Sequence, residues 1–198
     1  MALAPRGLKA RFLPWATAAV TLGALLPLAA PRLGDALILD RSAVLAGQVW
    51  RLWTGHLVHV TTSHLLWNLA LVIAAGGWLE RLAPTATRWF YAATPPLIGA
   101  TLLLLEPDLA RYGGLSGLGA GLIVLLALRQ RSTPAESRGI WNAVLGLVAL
   151  KVGLETWTGA PLLAEGIHSV PLAHVAGITC AIVAHLLGSR GRRHAGQA

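Results

Sequence analysis

A serine, several histidines and an amide sit in stretches of this sequence that are otherwise nearly all apolar. Ser116 lies in Tyr112-Gly113-Gly114-Leu115-Ser116-Gly117 and His174 in Ala173-His174-Val175-Ala176-Gly177, while His59, His64 and Asn68 open another apolar run and Lys151 and Glu155 interrupt a fourth. Ionisable and amide side chains are costly inside a membrane, so they mark either function or a structural pair. Serine near histidine is the raw material of nucleophilic acyl transfer, in which a base removes the hydroxyl proton and nearby donors hold the oxyanion. Singly, each residue has a plainer reading. A serine back-bonds to its own helix, a histidine is satisfied in packing, and Lys151 and Glu155, four apart on one helix face, neutralise each other.

The elements that must position these residues are transmembrane helices. The chain has 198 residues, 55% hydrophobic and 12% charged, and its mean hydropathy of +0.63 lies outside the soluble range. Six apolar runs approach spanning length, at about 12–30, 57–79, 87–105, 114–128, 140–158 and 171–188, the fourth being short. The first exceeds the apolar stretch of a signal peptide and is read as a retained helix. Arg6, Lys9 and Arg11, then Arg81 and Arg88, then Arg129, Arg131 and Arg138, then Arg190, Arg192 and Arg193 fall on one side of a six-span model. That side is cytoplasmic by the distribution of basic residues. The other side carries Arg32, Arg41, Arg51 and Arg111 together with Asp35, Asp40, Glu106, Asp108 and Glu165. The expected architecture is an all-α, polytopic six-helix bundle, one domain over 1–198, with both termini in the cytoplasm. Trp15, Trp78, Trp89, Trp141 and Trp157 fall near span ends, where amphipathic rings prefer the headgroups. The net charge of +8 reads as membrane orientation rather than a nucleic-acid face. Cys180, the one cysteine, excludes an internal disulfide or a Cys-based metal site. The longest connection, about 31–56, is long enough to carry function and amphipathic enough to lie on the outer leaflet.

In that topology the second, fourth and sixth spans run in the same direction, which puts His64, Ser116 and His174 at one depth in the outer half. Gly117 and Gly121 on the fourth span, and Gly177 and Ala181 on the sixth, allow close backbone approach. Gly113-Gly114 lets the chain turn into the fourth helix and leaves Ser116 near an N-terminus whose free N–H groups favour negative charge.

The ordered set Trp50-Arg51, His59, His64-x-x-x-Asn68, Gly76-Gly77 with Glu80, Gly-Leu-Ser-Gly at 114–117 and Ala-His-x-x-Gly at 173–177 resembles the rhomboid intramembrane serine proteases over nearly the whole chain. The resemblance implies Ser116 as nucleophile, His174 as general base and acid, and His64, Asn68 and the Ser116 N–H as the oxyanion site, a dyad with no third carboxylate. The six-span minimum and Lys151-x-x-x-Glu155 followed by Trp157-Thr158-Gly159 look like the rhombosortase branch, whose members trim small-residue C-terminal anchors from exported proteins. The implied substrate is then a membrane-anchored protein with a C-terminal transmembrane tail, and the implied location is the inner (cytoplasmic) membrane. Lys151, Glu155, Arg51 and Glu80 are structural or substrate-related residues. Two departures stand out. Ala120 replaces the usual aromatic or histidine four residues after the serine, so support for the catalytic ring must come from elsewhere, and Ala181 replaces the last glycine of the sixth-span motif.

The chemistry requires no cofactor and no metal. Two other readings stay open: a catalytically silent rhomboid-like binding protein, and a membrane cytochrome with His64 and His174 as haem ligands. The pair His56-x-x-His59 lacks the acidic partner of a helical zinc-protease motif. His168, His185 and His194 are read as loop, span-end and tail residues.

Overall fold

The structure, a computed structural model, describes residues 13–131, 135–159 and 170–195. In chain order its helices are α1 (Trp15–Ala29), α2 (Pro31–Leu37), α3 (Arg41–Leu45), α4 (Arg51–Thr54), α5 (Thr62–Leu71), α6 (Gly77–Leu82), α7 (Pro84–Leu105), α8 (Ser116–Gln130), α9 (Ala135–Thr158) and α10 (Pro171–Ala195). Two short strands, β1 (Leu39–Asp40) and β2 (Arg111–Tyr112), pair antiparallel. Arg6, Lys9, Arg11, Glu165 and His168 lie outside the described residues.

Helices α5 and α6 form one rod, because Val72–Gly76 between them winds as a π-helical turn rather than a break. Gly76 is required there, since a Cβ would overlap the hydroxyl of Tyr91 on α7. This rod (Thr62–Leu82), Arg138–Thr158 of α9 and Pro171–Ser189 of α10 are long and apolar enough to cross a membrane, whereas α1 and α8 are shorter apolar helices. At 1.5 Å per residue, the 15 residues of α8 reach only about 22 Å, less than the roughly 30 Å of a bilayer core. The shortness expected of the fourth run is therefore present. Helix α8 is also the most enclosed, with Leu118, Leu122, Leu125 and Leu126 fully buried against Leu65, Val72 and Leu79 of the α5–α6 rod and other core side chains. Outward-facing Leu104, Leu147, Leu150 and Trp157 are exposed, the pattern of a bundle whose solvent is lipid.

Some helix starts are set by local chemistry. Thr61 caps α5 by accepting from the His64 N–H at 3.2 Å, and Pro84 and Pro31 occupy the first positions of α7 and α2. Helix α1 carries no cap of its own. Instead the wholly buried Glu80 reaches from α6 and accepts from the N–H groups of Ala16 (3.1 Å) and Thr17 (2.9 Å) and from the Thr17 hydroxyl (2.9 Å), with Arg88 at 3.4 Å. Glu80 is thus the N-terminal cap of another helix, a structural role.

The connection between α1 and α5 is folded rather than extended. Its Arg51 is buried and donates to the Asp35 and Ile38 carbonyls (3.0 and 2.7 Å) and to Gln48 Oε1 (2.8 Å). The next aromatic residue, Trp53, donates its indole N–H to the Ala92 carbonyl at 2.8 Å. Pro96 sits four residues after Ala92 inside α7 and has no N–H to offer that carbonyl, so the indole satisfies a group that proline leaves open. The strand pair ties the same connection to the segment before α8, with Leu39 opposite Tyr112 and Asp40 opposite Arg111. The Asp40 carboxylate accepts from the Ser42 hydroxyl, the Ala43 N–H and Arg111, which hold its pKa down at about 2.

Candidate active site

Ser116 is the first residue of α8 and is half-buried. Its placement depends on the two glycines before it. A Cβ on Gly113 would lie 2.7 Å from the Val58 carbonyl oxygen, and Gly114 adopts φ +127°, with a Cβ there lying 2.7 Å from Cε1 of His64. Any side chain at 114 would therefore be strained and would displace the His64 ring. Two further contacts fix the turn: the Leu115 N–H donates to His59 Nε2 at 3.3 Å, and the Tyr112 hydroxyl donates to the Gly114 carbonyl at 3.2 Å. Burial pushes the Tyr112 phenol up to about 12, so it stays a donor, and it also interacts with the Ser116 hydroxyl.

His174 stands on the first turn of α10, which Pro171 starts, and is buried. Helices α8 and α10 meet backbone to backbone. A Cβ on Gly117 would fall 2.6 Å from the Ala173 carbonyl oxygen, one on Gly121 would fall 2.6 Å from that of Gly177, and one on Gly177 would overlap the Gly117 carbonyl. The expected close approach of the small residues is present, and it sets the immediate neighbours of Ser116 and His174 against each other. Among the described residues no hydrogen bond joins Ser116 to His174.

The imidazole is engaged from the other side. His174 Nδ1 lies 3.0 Å from Glu155 Oε2, and Glu155 Oε1 accepts from Lys151 Nζ at 2.7 Å. The side chains of His174 and Glu155 are 7% and 3% exposed and that of Lys151 is 33%, so the carboxylate points inward and the ammonium outward. The expected dyad thus has a carboxylate within ion-pair distance of its histidine. The Lys151–Glu155 ion pair does form, but it uses one carboxylate oxygen and leaves the other for the histidine. Ala120, buried one turn after Ser116, contributes only a methyl.

His64 packs edge-on to His59 with ring centroids 5.1 Å apart, and His174 and Lys151 are its electrostatic neighbours. Asn68 follows one turn later and is buried. His64 Nδ1 and Asn68 Nδ2 are buried and make no hydrogen bond among the described residues. Unpartnered buried polar atoms are rare and call for an explanation. His174 is thus joined to Glu155 and Lys151, with His64 as their electrostatic neighbour, and Ser116 is brought toward this group through the Gly117–Ala173 contact. Arg51 sits in the connection before α5, and Glu80 lies 16 residues beyond His64, about 24 Å along the rod. His59 and Tyr112 also contact the turn before Ser116, through the Leu115 N–H and the Ser116 hydroxyl, although the sequence marks them only as a motif residue and part of the turn. Their proximity in sequence to His64 and Ser116 was the available signal.

A family model described as Rhomboid domain matches residues 46–191, from just after α3 into the last helix. No curated protein matches the chain.

Proposed function

The chain belongs to the rhomboid family, whose members are generally intramembrane serine proteases with some inactive relatives, and from that premise we propose that this protein cleaves membrane-anchored proteins by a Ser116–His174 mechanism near the outer membrane face. The observation that carries the reading is Ser116 at the start of α8, whose neighbour Gly117 packs on the carbonyl of Ala173 next to His174, while α5 holds the unpartnered buried atoms His64 Nδ1 and Asn68 Nδ2. Such groups are donors in waiting for a charge that exists only during reaction. Ser116 Oγ attacks the scissile carbonyl while its proton passes to His174 Nε2, the ring nitrogen not turned to Glu155. The carbonyl oxygen becomes an oxyanion held by His64, Asn68 and the Ser116 N–H. His174 then protonates the departing amine, the ester forms, and a water activated by the same nitrogen hydrolyses it.

In the finer reading the protein spans the inner membrane six times with both termini in the cytoplasm and acts as a rhombosortase. A serine a turn or so below the surface is reached only by a chain already in the membrane that unwinds locally, so the scissile segment contains Gly, Ala or Ser at the outer end of a C-terminal transmembrane tail. The haem reading is disfavoured by His174 facing Glu155 and by His64 packed on Gly114. The deciding experiment is labelling with a fluorescent fluorophosphonate. Wild type is expected to label and Ser116→Ala to stay dark; an unlabelled wild type returns the chain to the inactive relatives. For the substrate, an exported reporter carrying such a tail should be cut, and replacing its small residues by Leu or Val should stop cleavage.

A further inference from the structure

We infer that Glu155 is a positioning residue for His174, which makes the site a carboxylate–histidine–serine relay with Lys151 as the countercharge. The inference rests on the Ser116–His174 reading. An ion pair meant only to neutralise itself needs one carboxylate oxygen, and Lys151 Nζ occupies Oε1. Oε2 is turned the other way, across to the neighbouring helix, 3.0 Å from His174 Nδ1. The burial is asymmetric in the same sense, since the carboxylate is enclosed while the ammonium stays one-third exposed.

The chemistry of the contact is directional. An ionised carboxylate only accepts hydrogen bonds, so its approach to Nδ1 favours the tautomer with the proton on that nitrogen. In the neutral ring that leaves Nε2 with its lone pair, the form a general base needs, and it fixes the ring plane. When Nε2 takes the Ser116 proton the ring becomes cationic, and the 3.0 Å approach of Nδ1 to Oε2 becomes an ion pair in a site of low dielectric. Lys151 keeps the carboxylate from standing as a bare buried charge before that proton moves. Where the resemblance expects an aromatic or histidine side chain to pack on the ring, α8 offers only the methyl of Ala120, so a carboxylate from α9 is the support the structure supplies.

The test compares the full-length wild type with Glu155→Gln, Glu155→Asp, Lys151→Gln and the double variant Lys151→Gln/Glu155→Gln. For each, fluorophosphonate labelling is followed over time at several reagent concentrations to separate the maximal rate, kinact, from the half-saturating concentration, KI, and folded protein is quantified by size exclusion. Loss of a group that orients and stabilises the base lowers kinact by about 10²–10⁴-fold. Glu155→Gln is expected to show that fall with KI unchanged, and Glu155→Asp to recover part of it. The double variant removes the unpaired-charge problem, so it should return to wild-type abundance while labelling as slowly as Glu155→Gln. Wild-type kinact in Glu155→Gln, or recovery of kinact in the double variant, overturns the inference and leaves a structural ion pair. A raised KI at constant kinact overturns it in favour of substrate binding. Wild type that fails to label removes the catalytic reading itself, a different result from any of these.

Discussion

Replacing Gly121 by alanine tests whether the contact between α8 and α10 sets the geometry of the site. The new methyl would lie 2.6 Å from the Gly177 carbonyl oxygen and 2.8 Å from Phe90 Cζ, whereas Cβ atoms essentially never come closer than 3.0 Å to such neighbours. The backbone contact must open by at least 0.4 Å, and by 0.8 Å to reach the ordinary distance of 3.4 Å. Overpacking of this kind costs about 1–3 kcal/mol, offset in part by the roughly 0.5–1 kcal/mol that alanine gains over glycine inside a helix. The variant should therefore be up to about 2 kcal/mol less stable. His174 lies on the turn of α10 just before Gly177, so the displacement reaches it directly. A misplacement near 1 Å costs about 10²-fold in rate, and half of that predicts a loss of about ten-fold or more. The control is Gly146→Ala on α9, where nothing lies within 4 Å of the added carbon and only the small helical gain applies. Melting in detergent and fluorophosphonate labelling rates, measured on both, decide the matter. Wild-type melting and labelling in Gly121→Ala, or equal damage in Gly146→Ala, would refute the argument.

Within the site, Ser116→Ala and His174→Ala should abolish labelling while protein still accumulates, whereas His64→Ala and Asn68→Ala should each retain activity reduced by about 10²–10³-fold, the usual cost of one oxyanion donor; full activity in Ser116→Ala would end the mechanism. Glu80→Gln keeps one acceptor oxygen for α1 but gives up the carboxylate and its contact with Arg88, so it should lower the melting point by the equivalent of about 1–3 kcal/mol and leave the labelling rate of the folded fraction unchanged. Slower labelling at unchanged stability would contradict a purely structural Glu80. Reporter fusions after residue 134 and at the C-terminus should report cytoplasm and fusions near 40 and 165 the outside; an external C-terminus would put His174 in the wrong leaflet.

The sequence made the elements legible because apolar run length and punctuation are local properties. Helix α8 starts two residues past the expected 114, the rod from Thr62 to Leu82 starts five residues after the expected 57, and α9 and α10 overlap the expected runs with ends that differ by up to seven residues. The small residues of α8 and α10 announced their contact, since glycine at four-residue spacing has little other use on a helix surface. What stayed hidden depends on how helices are rotated about their axes. Lys151 and Glu155 satisfied each other on paper, which removed any reason to look for a third partner 19 residues on, and only the rotation of α9 turns Oε2 toward His174. Glu80 was visible as a motif residue, but its use lies with Ala16 and Thr17, more than 60 positions earlier. His59 likewise gave no sign of the Leu115 N–H it accepts from.

The cap that Glu80 places on α1 bears on the order of events at synthesis. The amides of Ala16 and Thr17 emerge from the ribosome some 60 residues before the carboxylate that will receive them. Until residue 80 has been made, the leading turn of α1 has no carboxylate to donate to. The start of α1 and the end of the α5–α6 rod complete each other's hydrogen bonding only once both are in place, with the buried carboxylate as the latch between them.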